Sequence, residues 1–583
     1  MDKLDYADVY TAEKFFGLLF VKSGMLNELI KNVPEITNIQ HNPIYGLSNL
    51  LINEDISEAS GSYEGNIAFD GQGVIVGIIG TGIDYLNPRF MKNTGETKIV
   101  AIWDQSIDNG PSSDLIPFGR EFNEEDINRA INNRAEGKDP YEVVPHKDEV
   151  GHGTAIAGII GGRNFGREDK LKSIAPNCEF AIVKLREAIP EITKLAGFEE
   201  DIKNLYLSTS IALAIRYLSD LQLKLKKLMV VYLPLGTNFG GHEGSTILER
   251  YIEDITQRRD FAIVTDTGDQ GTGRTHTSGI IEKIGDTKDI LFNIGQGQNS
   301  LIIGVYVRRI DAISISITAP SGDTIKNIPL PTVEEKNNYF NFQENNIDIN
   351  YFANQTLTGL VGINIVIKNA TEGVWKVSLL GEVIVSGLYD AWMPQAELLK
   401  GNTGFLNPVS NTTLLTPCAA LDIISTSYYN QIDNTVIETS GKGYPRNGKI
   451  EPSVTIGGVN ILTVGLNNSL VLGTGGAMAG AILAGAVALI YQWGIVDGNF
   501  QGLFPPRIKN LLIASTVKDE GKVYPNTEWG FGKLSFDALF ETLFITSNIN
   551  ITNPKRILKD EGNRELYVCI PEEIYRRLKD NLL

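Results

Sequence analysis

Several short and almost unbroken apolar runs, each followed by an amphipathic stretch, constrain this chain more than any other feature. They are Val74-Ile75-Val76-Gly77-Ile78-Ile79, Ala181-Ile182-Val183-Lys184-Leu185, Leu228 to Leu233, and Phe261 to Val264. A strand with one wet face alternates apolar and polar residues, so consecutive apolar positions need cover on both sides. Runs of that kind separated by helical segments predict an α/β fold, a parallel sheet flanked by helices. The pattern holds from about 63 to 275 and resumes over 397–548. Within the second part, the Ala- and Gly-rich stretch Ala477 to Trp493 is short for a bilayer span and reads as the buried helix of a soluble protein.

Between 276 and 396 the rhythm changes. Ile313, Ile315 and Ile317 alternate with Ser314 and Ser316, and Trp375, Val377 and Leu379 repeat the same spacing. Turn-rich segments such as Ser321-Gly322-Asp323 and Asn345 to Asn350 break the runs, which predicts an antiparallel β-sandwich inserted into the α/β domain. Residues 1–62 read as a small appended unit with an apolar run at Phe15 to Val21, a helix over Met25 to Lys31 and a return through Ile36 to Ile39. Residues 549–583 form a mixed tail. A chain of 583 residues is too long for one ordinary core, in keeping with this division.

A formal net charge of -18 disfavours phosphate backbones and anionic lipid, so neither nucleic acid nor membrane insertion is expected. Cys178, Cys418 and Cys569 lack the paired spacings of a zinc site or a disulfide framework. The start, Met1-Asp2-Lys3-Leu4-Asp5-Tyr6, carries no visible secretory signal. His41, His146, His242 and His276 have no ligand spacing and read as surface or loop residues. The acidic clusters Glu124-Glu125-Asp126 and Glu199-Glu200-Asp201 read as helix starts, where carboxylates favour the dipole.

Three glycine-rich segments carry chemistry. Gly77 to Asp84 reads Gly-Ile-Ile-Gly-Thr-Gly-Ile-Asp, Gly151 to Gly158 reads Gly-His-Gly-Thr-Ala-Ile-Ala-Gly, and Gly473 to Ala479 reads Gly-Thr-Gly-Gly-Ala-Met-Ala. An Asp at a strand end, a His opening a helix and a nucleophile at a late helix start form one of the convergent acyl-transfer triads in chain order. Asp84 and His152 fill the first two places, as a hydrogen-bonded pair. Gly475 stands in the third, and a glycine has no side chain with which to form a covalent intermediate. Ser440 and Ser469 are the nearest serines, but neither sits at that helix start.

These segments resemble the subtilisin-like serine proteases, with supporting echoes in Ala175-Pro176, Pro234-Leu235-Gly236, Gly457-Gly458-Val459 and Trp529 to Lys533. The resemblance covers about 70–275 and 400–545, and implies a subtilisin-like sheet with a small amino-terminal prodomain. It also implies that the prodomain feeds its end into the cleft as a strand, and that without self-cleavage the link near 48 to 62 stays intact. The inserted, jelly-roll-like sandwich narrows the resemblance to the Csp germination proteases of spore-forming clostridia. Active members of that family cleave the propeptide of a cortex hydrolase; others have lost catalytic residues and act as regulators or germinant sensors.

On that likeness this chain is identified as a degenerate member. The family's oxyanion Asn is matched by Asp269, in Asp266-Thr267-Gly268-Asp269, and an ionised carboxylate there would reverse a contribution on the order of 3 kcal/mol. Ala479 also replaces a proline common after the serine. The implied partners are other Csp proteases and pseudoproteases, the cortex hydrolase precursor and a small-molecule germinant, and the implied location is the cortex or coat region of the spore. The alternative is an active germination protease whose serine was replaced in the laboratory. Calcium often accompanies such folds, but no complete ligand set can be assembled here.

Overall fold

The apolar runs become neighbours in one sheet. Leu228–Leu233 pairs in parallel with Val74–Gly80 on one side and Phe261–Asp266 on the other. Glu179–Lys184 and Ile99–Asp104 follow beyond the first, and Ile424–Asn430 and Val454–Gly457 beyond the second. This computed structural model describes residues 4–548 except 14–15, 23, 37–41, 60–67, 109–117, 167, 196, 199–201, 330–337, 343–344 and 354–358. Residues 1–543 form one unit. Of the second, 544–583, only the end of the helix Phe536–Asn548 is described, so the tail lies outside the described residues.

Alternate side chains of Val74–Gly80 enter two different cores. Val74, Val76 and Ile78 pack with Ala155 and Ile156 of the helix His152–Gly161 and with Ala481 and Ile482 of the helix Gly476–Tyr491. Ile75 and Ile79 pack with Leu218 and Ile252 of the helices Ser208–Leu225 and Ile247–Ile255. Both faces are covered, as continuous apolar strands require. The Ala- and Gly-rich stretch is the helix Gly476–Tyr491, every residue of which is buried against the first face.

The inserted sandwich has a six-stranded sheet in the order His276–Ile280, Leu388–Trp392, Ser300–Arg308, Leu360–Lys368, Asn345–Ala353 and Asn338–Phe342. The facing sheet runs Thr324–Pro329, Ala312–Thr318, Gly373–Val383, Thr287–Ile294 and Gly404–Phe405, so its last strand reaches past 396. Ile313, Ile315, Ile317, Trp375, Val377 and Leu379 all enter the shared core, as their alternation predicts.

At the amino terminus a hairpin, Ala7–Glu13 with Phe16–Val21, precedes the helix Leu26–Asn32. The predicted return through Ile36 to Ile39 falls mostly outside the described residues. The acidic cluster at Glu124 does open a helix, with a capping box between Asn123 and Asp126. The cluster at Glu199 lies outside the described residues.

The histidines depart from expectation. His146, His242 and His276 are buried, not superficial. His242 and His276 stack on Trp392 at 4.2 and 4.7 Å between ring centroids. Their partners are distant in sequence, so no local pattern announced the burial. His41 is outside the described residues.

Candidate functional site

In sheets of this type the carboxyl ends of the strands form the crevice where ligands bind. Here the chain's own amino-terminal segment lies in it. Ile44–Leu47 forms a three-stranded sheet between Leu205–Leu207 and Leu235–Gly236, and the Ser48 N–H donates to the Pro234 carbonyl at 2.9 Å. Past Ser48 and Asn49 the segment pairs again, Leu51–Asn53 against Leu470–Thr474. Tyr45 is fully buried among the residues of the second core, and Ile44 packs against Phe198 and Leu205. The segment therefore lies across the cleft as an extended strand gripped on both sides of Ser48-Asn49, the edge-strand mode of peptide recognition.

His152 opens its helix, which is held by Asp148. The Asp148 carboxylate accepts from Gly151 N–H at 2.8 Å, Thr154 N–H at 2.9 Å and Thr154 Oγ1 at 2.7 Å. The His152 Nε2 lies 2.9 Å from the Ser48 carbonyl oxygen. A carbonyl only accepts, so the proton sits on Nε2. Nδ1 is buried with no hydrogen-bond partner. Burial holds the imidazole below its usual pKa, against the Ser48 bond and the charge of Asp148, which raise it.

The predicted pair of Asp84 with His152 does not form. The strand ends at Gly80, and Asp84 lies four residues on, in a turn. Its carboxyl is pushed up by burial and drawn down by Arg134 and by the N–H groups of Asn467 and Leu86. Its own N–H donates to Thr154 Oγ1 at 2.9 Å. The last residue of the strand is Gly80. By strand alternation it belongs with Val74, Val76 and Ile78, on the side that holds the histidine helix. Thr81 Oγ1, one residue on, accepts the N–H of Gly153 at 3.0 Å. A Cβ built at Gly80 would meet nothing within 4 Å, so the space a carboxylate would need is open and the ring nitrogen that would use it is unpaired.

Gly475 caps the helix Gly476–Tyr491 with φ +142°, a conformation other residues rarely adopt. A Cβ there would overlap the Asn49 carbonyl oxygen and stand 3.0 Å from its carbon. Ser440 and Ser469 serve locally: Ser440 Oγ accepts from Tyr428 N–H, and Ser469 Oγ donates to the Leu466 carbonyl.

Asp269 does lie in the cleft, but its electrostatics differ from expectation. Its Oδ1 accepts from the Tyr428 hydroxyl, and its Oδ2 is buried without a partner. Burial first, then the nearby Asp266 and Glu397, push its carboxyl well above the usual range, while the Tyr428 hydroxyl and the Asn49 N–H facing it draw it down. The group is thus held toward its neutral form, instead of adding a full negative charge. Asp266, at the end of its strand, accepts from Gly268 N–H at 2.9 Å and from the Tyr232 hydroxyl at 3.0 Å, and is likewise raised by burial.

Sequence reasoning missed Gly80, Asp148 and the pair Ser48-Asn49. Strand parity could have found the first: residues 74, 76, 78 and 80 share a face, and Asp84 does not belong to the strand. Among the described residues no group of three or more His, Cys, Asp or Glu side chains is arranged to hold a metal ion.

Residues 71–200, which include Gly80 and His152, match the profile of the subtilase family. Among solved structures, the CspB protease of Clostridium perfringens is 28% identical with a TM-score of 0.72, covering 82% of this chain and 94% of that one. A cold-adapted subtilisin-like serine proteinase is 12% identical with a TM-score of 0.37, covering 82% of this chain and 97% of its own. The prenylagaramide maturation protease PagA is 12% identical with a TM-score of 0.39, covering 81% and 93%. No curated protein matches this chain in sequence. The fold is subtilisin-like, and the family match and the CspB likeness together support a subtilisin-like, Csp-type protein.

Proposed function

We propose that this chain is a catalytically inactive, subtilisin-like pseudoprotease of the spore germination pathway that works by binding. Its partners are other Csp-type proteases and pseudoproteases and the cortex hydrolase precursor, and its signal is a small-molecule germinant. It resides in the cortex or coat region of the spore. The relative carries the name protease; the state in this chain of the three groups that acyl transfer needs supports the inactive reading.

The observation that carries the reading is His152. A general base needs a free lone pair on Nε2 facing the nucleophile, with the proton on Nδ1 held by a carboxylate. Here Nε2 carries the proton and gives it to Ser48, while Nδ1 has no partner. No side chain stands at Gly80 to reverse that tautomer, and none at Gly475 to be activated. Losses at both ends of the relay, and a backbone at 475 suited to glycine, support natural decay over one laboratory substitution.

Exposure of the purified chain to a fluorophosphonate probe tests this. No covalent adduct is expected, and labelling that approaches one probe per chain overturns the reading. The single change Gly475→Ser separates the alternatives. If it alone restores cleavage near Ser48, the protein is a disabled enzyme. The proposal expects no cleavage without Gly80→Asp and Asp269→Asn as well. Capture of a Csp-type protein or of the hydrolase precursor from dormant spores tests the binding role, and capture of neither counts against it.

A further inference from the structure

A peptide bond ready for cleavage must present its two ends to two different parts of a serine protease site. The carbonyl oxygen faces the oxyanion donors, where charge develops, and the amide nitrogen faces the histidine, which protonates it as it leaves. The Ser48-Asn49 unit sits at the corresponding place, directly after the Ser48 N–H bond to Pro234. Its orientation is the opposite one. The Ser48 carbonyl oxygen points at His152 Nε2, 2.9 Å away. In a planar trans peptide the N–H points away from its carbonyl, so the Asn49 N–H is directed away from the histidine. It is directed to the side of Asp269, whose unpartnered Oδ2 lies 3.5 Å from where a Cβ at Gly476 would stand, beside the Asn49 carbonyl at Gly475.

Each end meets a group suited to it. His152 offers a proton to the carbonyl, and one oxygen of a carboxyl accepts an N–H whether the group is ionised or neutral. A side-chain amide donor at 269 would instead favour a carbonyl on that side. One residue further, the Asn49 carbonyl fills the volume that any side chain at 475 would need. The three departures at the site, Asp at 269, Gly at 475 and the proton on Nε2, thus match the same reversed strand.

We propose that His152 and Asp269 act as a positioning pair that holds the Ser48-Asn49 peptide plane reversed relative to a cleavable substrate, with the Asn49 carbonyl in the nucleophile's place. The cleft retains its own segment as a strand that cannot be cut, independently of whether a hydroxyl is supplied. This deepens the binding role proposed for the same cleft. Its test reads an amide and not a covalent label, so the two can fail separately.

The experiment is amide hydrogen exchange on the full chain with selective labelling of Asn and Ser, the Asn49 signal being assigned by its loss in Asn49→Gln. In the unaltered protein the Asn49 amide should exchange at least about tenfold more slowly than amides of exposed loops. In Asp269→Leu, which keeps the bulk and removes the acceptor, its exchange should rise by about tenfold, while the Ser48 amide, bound to Pro234, stays protected. An Asn49 amide as fast as the loop amides in the unaltered chain overturns the proposal. So does one unchanged in Asp269→Leu with Ser48 protected. If that variant does not fold, the unaltered chain decides, together with His152→Phe. Loss of the carbonyl's donor should speed Asn49 exchange there, and no change overturns the pairing.

Discussion

Two histidines six residues apart lie against one turn and have opposite fates. His146 is complete: its Nδ1 donates to Asp104 Oδ2 at 2.7 Å, and its Nε2 accepts the Ile83 N–H at 3.1 Å. His152, whose neighbour Gly153 is bonded to Thr81 across the same turn, has one nitrogen satisfied and one bare. A carboxylate pairs with His146, and none pairs with His152. A buried polar atom without a partner costs free energy, and His152 Nδ1 and the Asp269 Oδ2 of the same cleft are both left without one.

The comparison is open to attack from both sides. The largest effect is expected for Asp104→Ala, which strips the intact pair and should cost about 3 kcal/mol in denaturant unfolding. A loss under about 1 kcal/mol would mean that the pair is no more structural than its neighbour. His152→Ala should cost only about 1 kcal/mol, because a single hydrogen bond is removed from a site already half unsatisfied.

The subtlest effect is expected for Gly80→Asp, which places a carboxylate before Nδ1. NMR titration of the His152 ring should then show its pKa rising from its present lowered position, and an unchanged titration would show that Gly80 does not face the ring. The linked change in stability has a definite sign. A histidine whose folded pKa is depressed binds fewer protons folded than unfolded, so its contribution is lost as pH falls below about 6.5. Gly80→Asp should shrink that acid loss when unfolding at pH 7 and pH 5 is compared. Asp269, raised by burial, runs the other way: its contribution is full below the ordinary carboxyl range and is lost as pH rises toward its folded value. Asp269→Asn should therefore gain stability at pH 8 relative to pH 5.

What could be predicted along the chain followed from local periodicity. Val74 to Ile79 called for a strand covered on both sides, the Ile313 to Ile317 alternation called for a one-faced strand, and both elements formed. The glycine at 475, where the resemblance implies a serine, was equally plain as a fact of composition. The assignment of Asp84 failed because it rested on proximity to a strand end in sequence. The strand stops at Gly80, and side-chain direction follows strand parity and not the nearest acid.

Other features could be settled only by tertiary structure. The partners of His146 lie 42 and 63 residues away, and His242 bonds Leu414 172 residues away as well as the nearby Asn238, so their burial has little local signature. Asp269 is an acid by sequence, but its leaning toward the neutral form depends on burial and on Asp266 and Glu397 closing around it, against the pull of the Tyr428 hydroxyl. The sequence by itself determined which atoms the cleft lacks, because side-chain chemistry is written residue by residue. The folded chain decided what replaced them: which nitrogen of His152 holds the proton and which way the Ser48-Asn49 peptide turns. Both depend on groups that only folding brings within hydrogen-bonding distance.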